Sequence, residues 1–99
     1  MDILTLAIAS IDFLTLKEKI LLRKNIDTLE QLAIMSIGDI SSIIKRAVCS
    51  EWDGKRTVAF AERSFKLMNV FGIGCTVFGE KDYPPLLRES FAPPYVLFY

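Results

Sequence analysis

Side chains able to do chemistry are few in this chain. Its 99 residues include no histidine, which removes the commonest general base and the commonest transition-metal ligand together. The two cysteines, Cys49 and Cys75, fit no metal-binding or redox spacing. With no histidine to activate them, they read as small buried hydrophobes rather than nucleophiles. Tyr83 has no sequence neighbour that would lower the pKa of its phenol, and it precedes two prolines; it reads as a residue that packs a turn. Paired carboxylates and a glycine-rich phosphate loop are both absent from the sequence. No catalysis, cofactor or metal is expected.

Binding is the better prospect. Basic residues come as close neighbours: Lys17 with Lys19, Arg23 with Lys24, Lys45 with Arg46, Lys55 with Arg56. A strip of cations gives salt-dependent, sequence-blind attraction to a nucleic-acid backbone. Lys45, Arg46, Lys55 and Arg56 are the candidate DNA contacts, because they flank the segment Cys49–Trp52, where Trp52 offers a ring for base stacking. Against this, Glu18, Asp27, Glu51 and Asp53 are interleaved nearby, the pattern of solvated helix surface. A tryptophan beside a helix start also serves as a core or interface anchor. Lysines plus arginines number 12, as do the acids, so there is no global pull toward polyanions and any such site is a local patch.

The elements that must position these residues are mostly helical. Asp2 can cap a helix over Ile3–Ala9. Thr15 and Glu18 form a capping-box pattern that opens a helix to about Lys24, burying Leu16 and Ile20. Asp27-Thr28-Leu29-Glu30 repeats that start signal for a third helix ending near Met35, and Ser36 caps a fourth with Ile37, Ile40, Ile44 and Ala47 on one face. The longest helix is expected from Asp53 to Phe71. Val58, Ala61, Phe65 and Met68 form its apolar stripe, Phe60 and Leu67 widen it, and Gly72 stops it. A short strand over Cys75–Phe78 follows. Tyr83-Pro84-Pro85 forces extended backbone, Leu86–Ser90 makes one helical turn, and Pro93-Pro94 resets the chain before Tyr95–Tyr99. That last run is almost wholly apolar, as in a strand buried on both faces of a parallel sheet.

The expected fold is therefore mainly α. A small bundle over residues 1–72, SAM-like or helix-hairpin-helix-like, precedes a short β-α-β opening of a Rossmann-like domain over residues 73–99. The final strand is expected to be the leading edge of a larger α/β domain. Hydrophobic residues make up 52% of the chain, enough for a core, but burial at this length is modest. Met1–Leu16 is apolar, yet Asp2 and Asp12 argue against a secretory signal and the run is too short to span a bilayer. A cytoplasmic location without membrane contact is expected.

The order of these events resembles the DNA-processing protein A (DprA/Smf) family. Asp82-Tyr83-Pro84-Pro85-Leu86-Leu87 and Ala92-Pro93-Pro94-Tyr95-Val96-Leu97-Phe98 are similar, in content and spacing, to the stretch that opens the family's Rossmann-like domain. Ile73–Gly79 resembles the preceding strand, and Leu21-Leu22 with Thr28–Leu32 extend the likeness into the helical part. Within this motif Tyr83, Pro84, Leu87, Pro93 and Pro94 are read as architecture. The resemblance implies a cytoplasmic protein that binds single-stranded DNA in natural transformation (competence) and helps load a RecA-type recombinase. It also implies that the main DNA pocket lies beyond Tyr99. Family members often carry glycine-flanked hairpins whose backbone N–H groups face a phosphate. Here those places read Ser10-Ile11-Asp12 and Ile37-Gly38-Asp39, short of glycine and each with an acid, so they are expected to be plain helix connections.

Two functions follow. One is an accessory, interaction part of a DNA-processing protein. The alternative is a stand-alone protein-interaction module of SAM-like fold that binds no nucleic acid. In either case the apolar terminal strand is expected to drive self-association.

Overall fold

The computed structural model describes residues 2–88 and 94–99, apart from the side chains of Leu86 and Leu87. Side-chain oxygens set the helix starts. Asp2 accepts the Thr5 N–H at 2.8 Å and opens α1 (Ile3–Ala9). Reciprocal capping boxes open α2 (Leu16–Asn25, Thr15 with Glu18), α3 (Leu29–Ile34, Thr28 with Gln31) and α4 (Ile37–Ile44, Ser36 with Asp39). Asp53 caps α5 (Gly54–Phe71), which Gly72 ends in the left-handed conformation at φ 65°. Caps of this kind are worth about 1 kcal/mol each. After them come β1 (Cys75–Val77), a short α6 (Pro85–Arg88) and β2 (Val96–Phe98).

The protein is mainly helical with one small antiparallel sheet among the described residues. At the centre is α1, with Leu4 to Ile8 all buried; it lies against α2 and α5, while α3 packs on α5 and α4 on α2. Ile11, Leu22, Ile26, Leu32, Ile40 and Ala61 complete the core, and Tyr95 joins it from the start of β2. Helical and strand segments thus share one apolar cluster.

The strands run antiparallel, not parallel as expected: Cys75 pairs with Phe98, Thr76 with Leu97 and Val77 with Val96. Beyond these, Gly74 and Tyr99 exchange both backbone hydrogen bonds, at 2.8 and 2.9 Å, and Phe78 donates to Tyr95 at 2.8 Å. A parallel crossover needs a connection that runs back the length of the sheet. The short α6 lies within the connection, and β2 meets β1 from the opposite direction. Nor is the terminal strand buried on both faces. Tyr95 and Val96 are buried, Leu97 is half-buried, and Phe98 and Tyr99 are exposed.

Further expectations shift in detail. In α2 the buried residue is Leu22, while Leu16 and Ile20 are half-buried. Helix α4 stops at Ile44, leaving Ala47 outside and exposed. Lys45 turns left-handed there (φ 57°), the Arg46 N–H closes back on the Ser41 carbonyl, and the Ser41 hydroxyl accepts the Val48 N–H. Phe60 and Leu67 do not widen the core stripe of α5; both are exposed. Cys49 is exposed and Cys75 half-buried, so neither is the buried hydrophobe expected. The helical turn expected over Leu86–Ser90 is seen as Pro85–Arg88, and Glu89 and Ser90 lie outside the described residues.

Gly54 is where α5 comes closest to α3. A Cβ at this position would sit 2.6 Å from the carbonyl oxygens of both Leu32 and Ala33, which are backbone atoms that cannot swing aside. Gly54→Ala is predicted to cost about 1–3 kcal/mol, the usual penalty of overpacking. In urea denaturation this lowers the midpoint with little change of slope; an unchanged midpoint would show that the two helices can separate freely.

Candidate functional site

Two cations of α2 hold the ends of α1. Arg23 meets Asp2 at 2.8 Å, donates to the Thr5 hydroxyl at 3.2 Å and reaches the Ile26 carbonyl at 3.1 Å. Burial pushes the Asp2 carboxyl up, but hydrogen bonds from Thr5 and Arg23 outweigh it and hold the pKa at about 2. At the other end, Lys19 Nζ donates to the Ala9 carbonyl at 2.8 Å. Burial lowers the pKa of this ammonium, and the charge of Asp12 partly offsets the effect.

The four candidate DNA contacts have different surroundings. Lys45 is exposed at the left-handed end of α4. Arg46 is committed: its guanidinium grips Glu18 through two bonds, at 2.6 and 2.8 Å, and donates to the Phe13 carbonyl at 3.0 Å. Trp52 converges on the same place, its ring edge-on to Phe13 with centroids 6.2 Å apart. Its indole N–H donates to the Met35 carbonyl at 2.8 Å, the geometry of an anchor rather than a stacking platform. Lys55 and Arg56 are exposed on the first turn of α5. Arg56 lines a shallow cleft of about 330 Å³ with Ser10, Thr57, Phe60 and Arg63.

Both short hairpins spend part of their backbone hydrogen bonding internally. The N–H groups of Ser10 and Ile11 are spent on carbonyls of α1, and Ile11 is buried. At the second hairpin the Asp39 N–H goes to the Ser36 hydroxyl, while the Asp39 carboxylate accepts the Ser36 N–H.

The structure describes part of the Tyr-Pro motif. Tyr83 is fully buried, edge-on to Phe78 at 5.4 Å, and its hydroxyl donates to the Pro94 carbonyl at 2.7 Å. Burial raises its pKa, with Arg88 opposing. Thr76 of β1 donates to Asp82, which fixes the approach to Tyr83. Pro84 is half-buried and Pro94 exposed; Pro93 and the Leu87 side chain lie outside the described residues.

Arg63, Ser10 and Lys19 were not singled out from the sequence as neighbours of Arg56 and Phe60. Part of the signal was there: Arg56, Phe60 and Arg63 follow helical spacing, i, i+4 and i+7, on one face of α5. The approach of Ser10 and Lys19 is a tertiary matter. Among the described residues no group of carboxylates, cysteines or histidines could hold a metal ion, and no helix is long and apolar enough to cross a membrane.

Glu18 gives a pH test. Hydrogen bonds from Arg46 dominate and, with the Thr15 N–H, hold its pKa at about 2 against the opposing pull of burial. A carboxylate depressed in the folded state contributes stability that is complete above its unfolded pKa, 4.5 for this residue, and is lost as pH falls toward the folded value. Stability should decline between pH 4.5 and about 2. Asp2 shares that window, so the comparison is between the wild type and Glu18→Gln, whose denaturation midpoints should fall less steeply. Identical pH profiles would mean that the Arg46 contact does not persist in solution.

Compared with protein-family models, curated proteins and solved structures, this chain matches none.

Proposed function

We propose that this chain is the helical leading part of a DNA-processing protein of the DprA/Smf kind, and that it acts there as an accessory and interaction domain. Single-stranded DNA, and a RecA-type recombinase, are then met chiefly by other parts of the parent protein. The observation that carries this reading is the Tyr83–Pro94 hydrogen bond. It gives the motif behind the resemblance a physical purpose, locking the exit of β1 to the start of β2. The accessory role draws support from Arg46, which is paired with Glu18, and from Trp52, whose indole N–H is bonded to the Met35 carbonyl. In the finer form of this reading, α1–α2 and α3–α4 are the paired hairpins of a SAM-like or helix-hairpin-helix-like bundle, and the two strands lead into a Rossmann-like sheet.

The same internal pairing and the zero net charge favour a second reading, a free-standing interaction module with no nucleic-acid role. In both readings the chain itself makes no strong grip on DNA. Fluorescence anisotropy with a labelled oligothymidylate, titrated with salt, should show no measurable binding even at low ionic strength. Binding that weakens steeply with salt would overturn the accessory role.

Self-association belongs to the proposal as well. Phe98 and Tyr99 are exposed, and among the described residues neither outer edge of the two-stranded sheet is paired. An open apolar edge recruits another chain. The scattering mass should rise with concentration and fall back for Phe98→Lys. A strictly monomeric wild type at high concentration would refute this.

A further inference from the structure

An apolar hollow of the described protein lies where α1, α2, α5 and β2 meet. Its volume is about 510 Å³, within the range of small-molecule sites. Leu6, Phe60, Tyr95, Val96 and Phe98 supply the greasy wall, while Ser10, Ser64 and Lys19 bring the polar atoms. Lys19 is the unusual member. An ammonium on an apolar wall is poorly solvated, and burial lowers its pKa accordingly. Ala9 accepts one of its N–H groups, and an ammonium has three to give. The charge of Asp12 acts on it from nearby, but among the described residues no carboxylate is in direct ion-pair contact with it, since those contacts are Arg23 with Asp2 and Arg46 with Glu18.

The cleft that holds Arg56 and Arg63 adjoins this hollow, sharing Ser10 and Phe60 with it. Three cations therefore gather around Ser10, and no acid lines either space among the described residues. An apolar chamber with one half-buried ammonium and a basic rim selects for a ligand with a hydrophobic body and a single negative end.

We propose that this cavity binds a small amphipathic carboxylate, an acyl or aryl acid, with its tail against Phe60 and Phe98 and its carboxylate on Lys19. Charge-assisted hydrogen bonding to the ammonium fixes the head, and apolar burial holds the tail. The site is independent of the DNA-processing reading, and its failure would leave that reading untouched.

Decanoate, kept below its micellar concentration, is the probe, with decanol as the neutral control. Titration into the ¹⁵N-labelled chain should give saturable one-to-one binding, with amide shifts centred on Leu6, Ser10, Ser64 and Val96. Decanol should bind about tenfold more weakly or worse, as should decanoate to Lys19→Met, the loss expected for one charged hydrogen bond. Because Lys19→Met also gives up the contact to Ala9, a second variant guards against unfolding: Ser64→Trp fills the hollow and should abolish decanoate binding while the chain remains folded by circular dichroism. Equal affinity for decanol and decanoate would overturn the proposal. So would shifts centred elsewhere, unaltered binding to a folded Lys19→Met, or retained binding to Ser64→Trp.

Discussion

The structure depends on the burial of a helix too short to exist alone. Isolated helices of fewer than about 12–15 residues are marginal in water, and α1 has seven. It is helical because its sides are apolar and enclosed and because both of its ends are tied off. The orphan N–H and C=O groups at a buried helix end are costly unless something pairs with them. Asp2 takes the Thr5 N–H at one end, and Ser10 and Lys19 donate to the Ala7 and Ala9 carbonyls at the other. Lys19 and Arg23 stand one turn apart on α2, about 6 Å of rise, and their long side chains span what remains. Each faces a group of the sign it requires, so α2 can lie along α1 in only one direction. The hairpin direction, the position of Asp2 and the closure of the core are one arrangement.

That arrangement decides which cations remain for partners. Arg23 is consumed by the start of α1, and Arg46 by Glu18, whose other duty is to complete the capping box of α2. One carboxylate thereby couples the beginning of α2 to the end of α4. Lys19 is only partly consumed, and Arg56 and Arg63 have no ion-pair partner among the described residues. Positive charge outside these ion pairs is therefore found at Lys45 beyond α4 and at Lys55, Arg56 and Arg63 along α5. Adjacent basic residues in a sequence say how much charge exists locally. They do not say how much of it the fold has already neutralised.

Helix starts were legible in the sequence because they are local chemistry. A Ser, Thr or Asp with its acceptor aimed at an N–H two or three residues on acts within one turn, and Asp2, Thr15, Thr28, Ser36 and Asp53 all behave that way. Gly72 was equally legible as a stop. The end of α4 was not, since its left-handed residue is a lysine with no glycine to announce it, held by Ser41 and Arg46. Strand direction was misread because apolar content describes burial, not the path by which the chain returns. For the candidate site, Arg56 is exposed on the first turn of α5, as helical spacing from Asp53 implies. The pairing of Arg46 with Glu18 joins residues far apart in sequence, and no spacing rule reaches that distance.

Helix α5 shows why one apolar pattern can mislead. Ala61 and Met68, seven residues apart, face the core, and the interval from Phe60 to Leu67 is the same. Two stripes thus run side by side, and periodicity alone cannot rank them. The choice is made at Gly54, where the lack of a Cβ lets the helix start sit directly on the last carbonyls of α3. Fixing that point fixes the rotation of the whole helix, which sends Ala61 inward and leaves Phe60 and Leu67 outside. The second stripe continues through Phe71 to Ile73, one residue before Gly74, which pairs with Tyr99. Exposed apolar side chains thus lie along α5 and beside the paired ends of the two strands, with Ile34 of α3 apart from them. Scattered exposed hydrophobes need no explanation, whereas a gathered set marks a surface that meets something else. A single close contact between two backbones, permitted by one glycine, is what leaves that surface outside the core.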